Sequence, residues 1–176
     1  MRKSLTIGVA ALALTITACG RKTPPATEIP PATEQTGDTS GAAAGDVELT
    51  ELPAMQADLV AKAGSDTVYF GTDVYQLDAQ SQATLAAQAK WMLANPSVRA
   101  SIEGHADERG TREYNIALGA RRAQSVRTFL TSRGIDASRM RTISYGKERQ
   151  VAVCNDISCW SQNRRVVTVL DGAGGV

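Results

Sequence analysis

Residues 98–134 read VRASIEGHADERGTREYNIALGARRAQSVRTFLTSRG and predict a strand that passes through a short loop into a long helix. Apolar and polar residues alternate over 98–103, which is the period of a half-buried strand. Over 112–133 the apolar residues recur at helical spacing, and the glycine that follows, Gly134, is typical of the position just beyond a helix C-terminus. A strand and a long helix are therefore expected on either side of one polar loop.

The flanking sequence supplies the remaining elements of a domain. Strands are predicted at 67–70, 140–145 and 165–170, and a second helix runs from an N-cap at Asp78 to Asn95, where a proline follows. Helices that alternate with strands imply a sheet with helices packed against it, so we expect an α+β domain of βαβαβ-like order with two main helices. The expected helical core residues are Leu85, Ala89, Met92, Leu93, Leu118, Val126, Phe129 and Leu130.

The N-terminus has the layout of a secretory signal. Residues 1–18 combine a short basic head with an apolar core that is too short for a stable membrane-spanning helix. The core ends in ITAC (16–19), which resembles the bacterial lipobox, so Cys19 is expected to be acylated after cleavage. Gly20 follows instead of aspartate, and by resemblance to the known sorting rule this favours the outer membrane. The alternative is an ordinary signal peptide in which the cysteine is incidental.

Between this anchor and the domain lies a segment that cannot form a core. Residues 19–48 are rich in proline, threonine, glycine, alanine and glutamate, which predicts a disordered tether. Residues 49–64 predict a short lead-in helix, with Pro53 near its first turn and a glycine at its end. The folded domain is expected to occupy 65–172 and to face the periplasm.

The overall charge gives no reason to expect a nucleic-acid partner. The chain has 19 basic and 18 acidic residues, and removal of Arg2 and Lys3 with the signal leaves 17 against 18, or −1. A nearly neutral surface does not attract polyanions, so specificity must come from local sites.

Catalysis is also disfavoured by the sequence. His105 is the sole histidine, which argues against a zinc hydrolase, and no serine has the context of a nucleophile elbow. We therefore expect no catalytic residue, no metal and no cofactor. His105 is expected to form hydrogen bonds that shape its loop.

Four residues at and after this loop form a polar constellation. Asn115, Gly119 and Arg122 are spaced i, i+4 and i+7 and share one helix face, where the glycine would leave a notch between two polar side chains. Asp107, in the loop that enters the helix, can lie close to Arg122. An acidic acceptor beside a planar donor fork suits a ligand that bears both an ammonium and a carboxylate. The alternative is a structural salt bridge between Asp107 and Arg122.

A set of short motifs gives the C-terminal part a specific resemblance to a known family. The sequence resembles the lipidated members of the OmpA-like domain family over about 66–170, and the lipobox and tether reproduce the layout of those members. The motifs are YF at 69–70 with Asp73, GHADERGT at 104–111, EYN at 113–115, LG at 118–119, RRA at 121–123, SYGKE at 144–148 and NRRV at 163–166.

The resemblance implies a small mixed sheet and a function. Such family members bind the diaminopimelate of peptidoglycan stem peptides non-covalently and tether the outer membrane to the cell wall. They work with TolB and the other proteins of the Tol-Pal system in envelope constriction at cell division. Asp107 and Arg122 match the positions that hold the charged groups of diaminopimelate, and alanine at either is expected to abolish binding to sacculi with little effect on thermal unfolding. The other expected binding residues are Phe70, Asp73, Asn115, Leu118, Gly119 and Arg164.

Two alternative functions stay open at this point. One is a cell-wall hydrolase that uses the same recognition surface, and the other is an adaptor that mainly binds envelope proteins. Cys154 and Cys159 would meet an oxidising compartment after export, where a disulfide is favoured over free thiols. Trp91 and Trp160 are expected to be packing residues.

Overall fold

The computed structural model describes residues 51–172; the signal, the lipidation site and the tether predicted at 1–48 lie outside this range. Within the described range no helix is long and apolar enough to cross a membrane. The helices are α1 (Leu52–Ala63), α2 (Ala79–Ala94), α3 (Arg112–Ser132) and α4 (Ile157–Asn163), and the strands are β1 (Thr67–Tyr69), β2 (Arg99–His105), β3 (Met140–Gly146) and β4 (Arg165–Asp171).

The four strands form one mixed sheet in the order β1-β4-β2-β3. Strands β2 and β3 are parallel, with Ile102 opposite Thr142, and α3 makes the crossover that a parallel pair requires. Strand β4 lies between β1 and β2 and is antiparallel to both. The predicted α+β class and mixed sheet are therefore confirmed.

Helices α1, α2 and α3 pack against this sheet around one apolar core. The largest apolar side chains in it that are completely buried are Leu59, Leu85, Met92, Val98, Ile102, Val126 and Leu130. Helix α1 contributes Leu59 and contacts both α2 and β4, so the predicted lead-in helix is an integral part of the core.

Helix α2 differs from the prediction at one core position. Leu93 is 52% exposed, so its assignment to the core is wrong. Gln88 is fully buried instead, donates a hydrogen bond to the carbonyl of Ser65 and accepts one from the hydroxyl of Thr168. A polar side chain with tertiary partners thus occupies an inward position, which the apolar spacing of α2 could not reveal.

The starts of the two main helices follow from local capping. The carboxylate of Asp78 accepts from the backbone N–H of Ser81 at 2.7 Å, and the hydroxyl of Thr111 accepts from that of Tyr114 at 3.2 Å. Each cap satisfies a donor that the first helical turn would otherwise leave unpaired. The cap at Thr111 fixes where the polar loop ends and α3 begins.

A close contact between two glycines sets the distance from α3 to the sheet. A Cβ atom added at Gly119 would lie 3.0 Å from the carbonyl oxygen of Gly104 and would overlap the hydroxyl of Ser144. A Cβ atom added at Gly104 would overlap the carbonyl of Gly119. Because neither residue has a side chain, α3 can approach β2 and β3 closely where β2 enters the polar loop.

A disulfide joins helix α4 to the loop before it. Cys154 and Cys159 are bonded to each other, which confirms the predicted pairing. The side chain of Asn163, at the other end of α4, accepts hydrogen bonds from the backbone N–H groups of Val151 and Ala152 and donates to the carbonyl of Ala152. The disulfide therefore ties the first turn of α4 to the loop before it, and the amide of Asn163 ties the end of α4 to an earlier part of that loop.

Candidate ligand-binding site

The polar loop and the first turns of α3 surround a cavity of about 210 Å³. Its walls come from the segment after β1, the loop after β2, the first half of α3 and the residue before β4. The lining residues are Thr72, Asp73, Asp107, Arg109, Gly110, Tyr114, Asn115, Leu118, Arg122 and Arg164. Six of the eight predicted binding residues are among them, and Phe70 and Gly119 are not.

Arg122 is fully buried in the wall of this cavity. Its Nε, Nη1 and Nη2 atoms donate to the backbone carbonyls of Val74, His105 and Gly71 at 2.8, 2.9 and 2.8 Å. Burial, and then the positive charge of Arg164, lower the pKa of Arg122 to about 10, so it remains a cation at neutral pH. Arg122 therefore joins the segment after β1 to the end of β2 while it places positive charge at the cavity.

Asp107 has other partners than the predicted Arg122. It accepts from Arg109 Nη2 at 2.6 Å, Arg109 Nε at 3.2 Å and Arg164 Nη1 at 3.3 Å. Burial would raise the pKa of Asp107, but hydrogen bonds from Arg109 and Arg164 hold it below its ordinary value. Among the described residues no hydrogen bond or ion pair joins Asp107 to Arg122, so the alternative of a direct salt bridge between them is wrong.

The structure separates the roles of two adjacent arginines. Arg164 Nε donates to the carbonyl of Phe70 at 2.9 Å while its Nη1 reaches Asp107 in the cavity. Arg165 points elsewhere and donates to the carbonyls of Asn163 and Arg149. Only the first of the pair lines the cavity.

The outer rim of the cavity contains Arg109 and Tyr114, for which the motifs predicted no individual role. Arg109 Nη2 lies 3.4 Å from the hydroxyl of Thr72, and Tyr114 donates its phenolic proton to Asp73 at 3.2 Å. That hydrogen bond raises the pKa of Tyr114. The GHADERGT and EYN motifs contain Arg109 and Tyr114, but only the folded chain shows that both face the segment after β1.

Asn115 braces the loop from inside. It is 2% exposed, and its amide donates to the carbonyls of Arg109 at 2.7 Å and Thr111 at 3.1 Å. These bonds fix the loop backbone at the point where the loop enters α3. Asn115 therefore lines the cavity, and its amide nitrogen donates its hydrogen bonds to the loop backbone.

Phe70 and Gly119, the two predicted binding residues that do not line the cavity, have roles in packing. Phe70 is a core residue whose ring centroid lies 5.3 Å from the guanidinium carbon of Arg122. Gly119 faces Gly104 and Ser144 across the contact between α3 and the sheet, so it forms no notch for a ligand. Helical spacing correctly placed Gly119 on the inward face, but that face meets the sheet at this position.

His105 also differs from expectation. It is 2% exposed, its ring stacks on Tyr145 with centroids 5.4 Å apart, and neither ring nitrogen has a hydrogen-bond partner among residues 51–172. Burial first, and the charges of Arg165 and Arg149 second, lower the pKa of His105 to about 4. The expectation that its imidazole shapes the loop by hydrogen bonding is wrong, since its ring is buried against Tyr145 without such a partner; its backbone carbonyl binds Arg122 instead.

The cavity offers complementary charges to a small ligand. The guanidinium groups of Arg109 and Arg164 bind the carboxylate of Asp107, the guanidinium of Arg122 lies in the same wall, and the carboxylate of Asp73 lies at the rim. Cationic forks can hold a carboxylate, and the carboxylates can hold an ammonium. Within residues 51–172 no group of three His, Cys, Asp or Glu side chains has the arrangement of metal ligands. The fold and the cavity together define an α+β ligand-binding domain.

Comparisons with known proteins agree with this architecture. The model of the OmpA family matches residues 69–164. A peptidoglycan-associated lipoprotein of Rhizobium meliloti (strain 1021) is 61% identical over 122 residues, 69% of this chain and 69% of that protein. One of Brucella melitensis biotype 1 is 54% identical over 134 residues, 74% of this chain and 79% of that protein. The crystal structure of the peptidoglycan-associated lipoprotein from Burkholderia pseudomallei has a TM-score of 0.60 and 41% identity, over 61% of this chain and 92% of that one.

The chain belongs to the OmpA family, as a homologue of the peptidoglycan-associated lipoproteins. The resemblance that the sequence motifs predicted is therefore confirmed. Membership of this non-enzymatic family also confirms the interpretation of the chain as a binding protein rather than an enzyme.

Proposed function

We propose that this protein binds peptidoglycan without altering it, by holding the free amino-acid end of diaminopimelate in the cavity. The observation that carries the proposal is the charged cluster in which the buried Asp107 lies between the exposed Arg109 and the buried Arg164, with Arg122 in the same wall. A ligand with one ammonium and one carboxylate can pair with both signs of charge there at once. The names of the relatives support peptidoglycan as the source of that ligand.

Each charged group of the ligand has candidate partners in the cavity. The ligand carboxylate would be held by those N–H groups of Arg122 and Arg164 that do not bond backbone carbonyls. The ligand ammonium would lie against Asp107, which remains ionised because its pKa is lowered. Leu118 supplies an apolar wall for the methylene chain that leads away from this zwitterionic end.

Binding to purified sacculi tests this proposal. Asp107→Asn keeps the size of the side chain but removes its charge, so we expect pull-down by diaminopimelate-containing sacculi to fall about tenfold or more. Glu113→Gln is the matched control, because Glu113 is an exposed acidic residue in the first turn of α3. Equal pull-down of wild type and Asp107→Asn would refute the assignment of the cavity.

The same incubation decides between binding and hydrolysis. A binding protein leaves the sacculi intact, so no soluble muropeptide should appear in the supernatant at any protein concentration. Release of muropeptides by the wild type, but not by Asp107→Asn, would favour the alternative of a cell-wall hydrolase.

The cellular role that we propose depends on the N-terminal residues as well. Acylated Cys19 would anchor the chain in the outer membrane, and residues 19–48 would let the domain reach the wall from there. Fractionation tests the anchor: Cys19→Ser should move the protein out of the outer-membrane fraction, and an unchanged distribution would exclude lipidation at this residue.

The resemblance to the OmpA-like lipoproteins supports a role in the Tol-Pal system during envelope constriction at division, with TolB and the other Tol proteins as partners. Co-purification with TolB tests this partner. Its absence from complexes recovered after cross-linking in cells would count against the role.

A further inference from the structure

Trp160 does not line the cavity, yet it contacts two residues of the loop that does. The guanidinium carbon of Arg109 lies 4.2 Å from the centroid of the Trp160 ring. The indole Nε1–H of Trp160 donates a hydrogen bond to the carboxylate of Glu108. One half-buried aromatic side chain thus holds consecutive loop residues by two different interactions.

These contacts bear directly on the position of Arg109 in the cavity. Its side chain is 41% exposed, and a guanidinium in that setting would sample many rotamers if only one interaction held it. Asp107 binds one edge of this guanidinium through two hydrogen bonds, at 2.6 and 3.2 Å, and the indole of Trp160 covers its face. The ion pair and the aromatic face together define one orientation of Arg109.

Trp160 is itself held in place by the structure of α4. Cys159, the preceding residue, is buried and bonded to Cys154. Asn163, three residues later, is fully buried and hydrogen-bonded to the backbone of Val151 and Ala152. The indole therefore rests on a short helix that is fixed before and after it.

We propose that Trp160, fixed by the Cys154–Cys159 disulfide, is a positioning residue for the ligand cavity that holds Arg109 against Asp107. The identity of the ligand in this inference rests on the proposed function, but the contact between Trp160 and Arg109 does not. Removal of the indole leaves the cavity lining chemically intact and allows Arg109 to leave Asp107.

Titration with a diaminopimelate-containing muropeptide tests the proposal. Trp160→Leu should weaken binding about fivefold, the size of one lost cation–π contact. Trp160→Phe keeps an aromatic face against Arg109 and should retain most of the wild-type affinity. Val153, in the loop before α4, is 86% exposed, so Val153→Ala is the control and should bind like wild type. Wild-type affinity of Trp160→Leu would overturn the proposal.

A double-mutant cycle separates positioning from general destabilisation. If Trp160 acts through Arg109, then Trp160→Leu should change the affinity less than about twofold in an Arg109→Gln background. The double variant Cys154→Ser/Cys159→Ser should weaken binding in the same direction as Trp160→Leu while thermal unfolding remains cooperative. Additive losses from Trp160→Leu and Arg109→Gln would overturn the proposal.

A measurement without ligand keeps this inference separate from the proposed function. The backbone N–H of Arg109 donates to Asp107 at 3.2 Å, so its hydrogen exchange reports the order of the loop. Trp160→Leu should speed exchange over 107–110 relative to Val153→Ala. If wild type fails to bind the muropeptide, the proposed function fails, while unchanged exchange in Trp160→Leu would overturn the positioning role alone.

Discussion

Arg122 serves the fold and the cavity at the same time. Its guanidinium is completely buried and bonds three backbone carbonyls, two of them in the segment after β1. Asp107, in contrast, bonds the side chain and backbone of Arg109 and the side chain of Arg164, and no other residue of the described part of the chain. Loss of ligand binding on substitution of Arg122 therefore includes the effect of a weakened fold, whereas loss on substitution of Asp107 reports on the cavity itself.

We predict that Arg122→Ala strongly destabilises the domain, unlike the small effect expected from sequence. The change leaves three carbonyls without their donor and a void in their place, which should lower the free energy of unfolding by about 3–5 kcal/mol. Chemical denaturation measures this loss, with Arg121→Ala, on the exposed side of the same helix, as the control. A loss below about 1 kcal/mol would contradict the structural role of Arg122.

His105 predicts a specific dependence of stability on pH. Because its folded pKa of about 4 lies below the ordinary value of 6.5, the unfolded state takes up the proton first as the pH falls. The free energy of unfolding should then drop by about 2 kcal/mol between pH 7 and pH 5. His105→Phe replaces the imidazole with an aromatic ring that does not titrate, so its free energy of unfolding should change little over that range.

No other histidine contributes to the difference between wild type and His105→Phe, because His105 is the only histidine of the chain. Carboxylates with lowered pKa, such as Asp107 and Asp78, affect stability only at lower pH. Parallel pH profiles of wild type and His105→Phe in urea denaturation would contradict the buried, neutral state of the imidazole.

At the scale of elements, the sequence predicted what local interactions specify. The ends of α2 and α3 agree with their caps and apolar periodicity, since both signals lie within a few residues of each helix end. Helix α4 was not predicted, because its seven residues depend on a disulfide and on the tertiary bonds of Asn163. The exposure of Leu93 likewise depends on which neighbours α2 meets.

The contact of α3 with the sheet allows a prediction at this scale. Gly119→Ala should lower the free energy of unfolding by about 1–3 kcal/mol, because the added methyl overlaps Ser144 and forces α3 away from β2. On an exposed helical position the same exchange would stabilise by about 1 kcal/mol. Thermal unfolding measures the sign, and a more stable Gly119→Ala would contradict the close packing.

For the whole molecule, the motifs predicted the family and most of the cavity, but not its internal pairing. Asp107, Arg122 and Arg164 line one cavity. Sequence spacing could not show that the partners of Asp107 are Arg109 and Arg164, since Arg164 is distant in sequence and its position depends on the sheet order. The separation of Gly119 from the cavity also follows only from tertiary packing.

We propose that this cavity recognises an ammonium and a carboxylate on one ligand. The most direct test is calorimetric titration of the purified protein with a muropeptide that contains diaminopimelate, compared with one that contains lysine in its place. Lysine lacks the second carboxylate, so its muropeptide should bind about tenfold more weakly or worse. Equal affinity for the two muropeptides, or no binding of the first, would contradict the account.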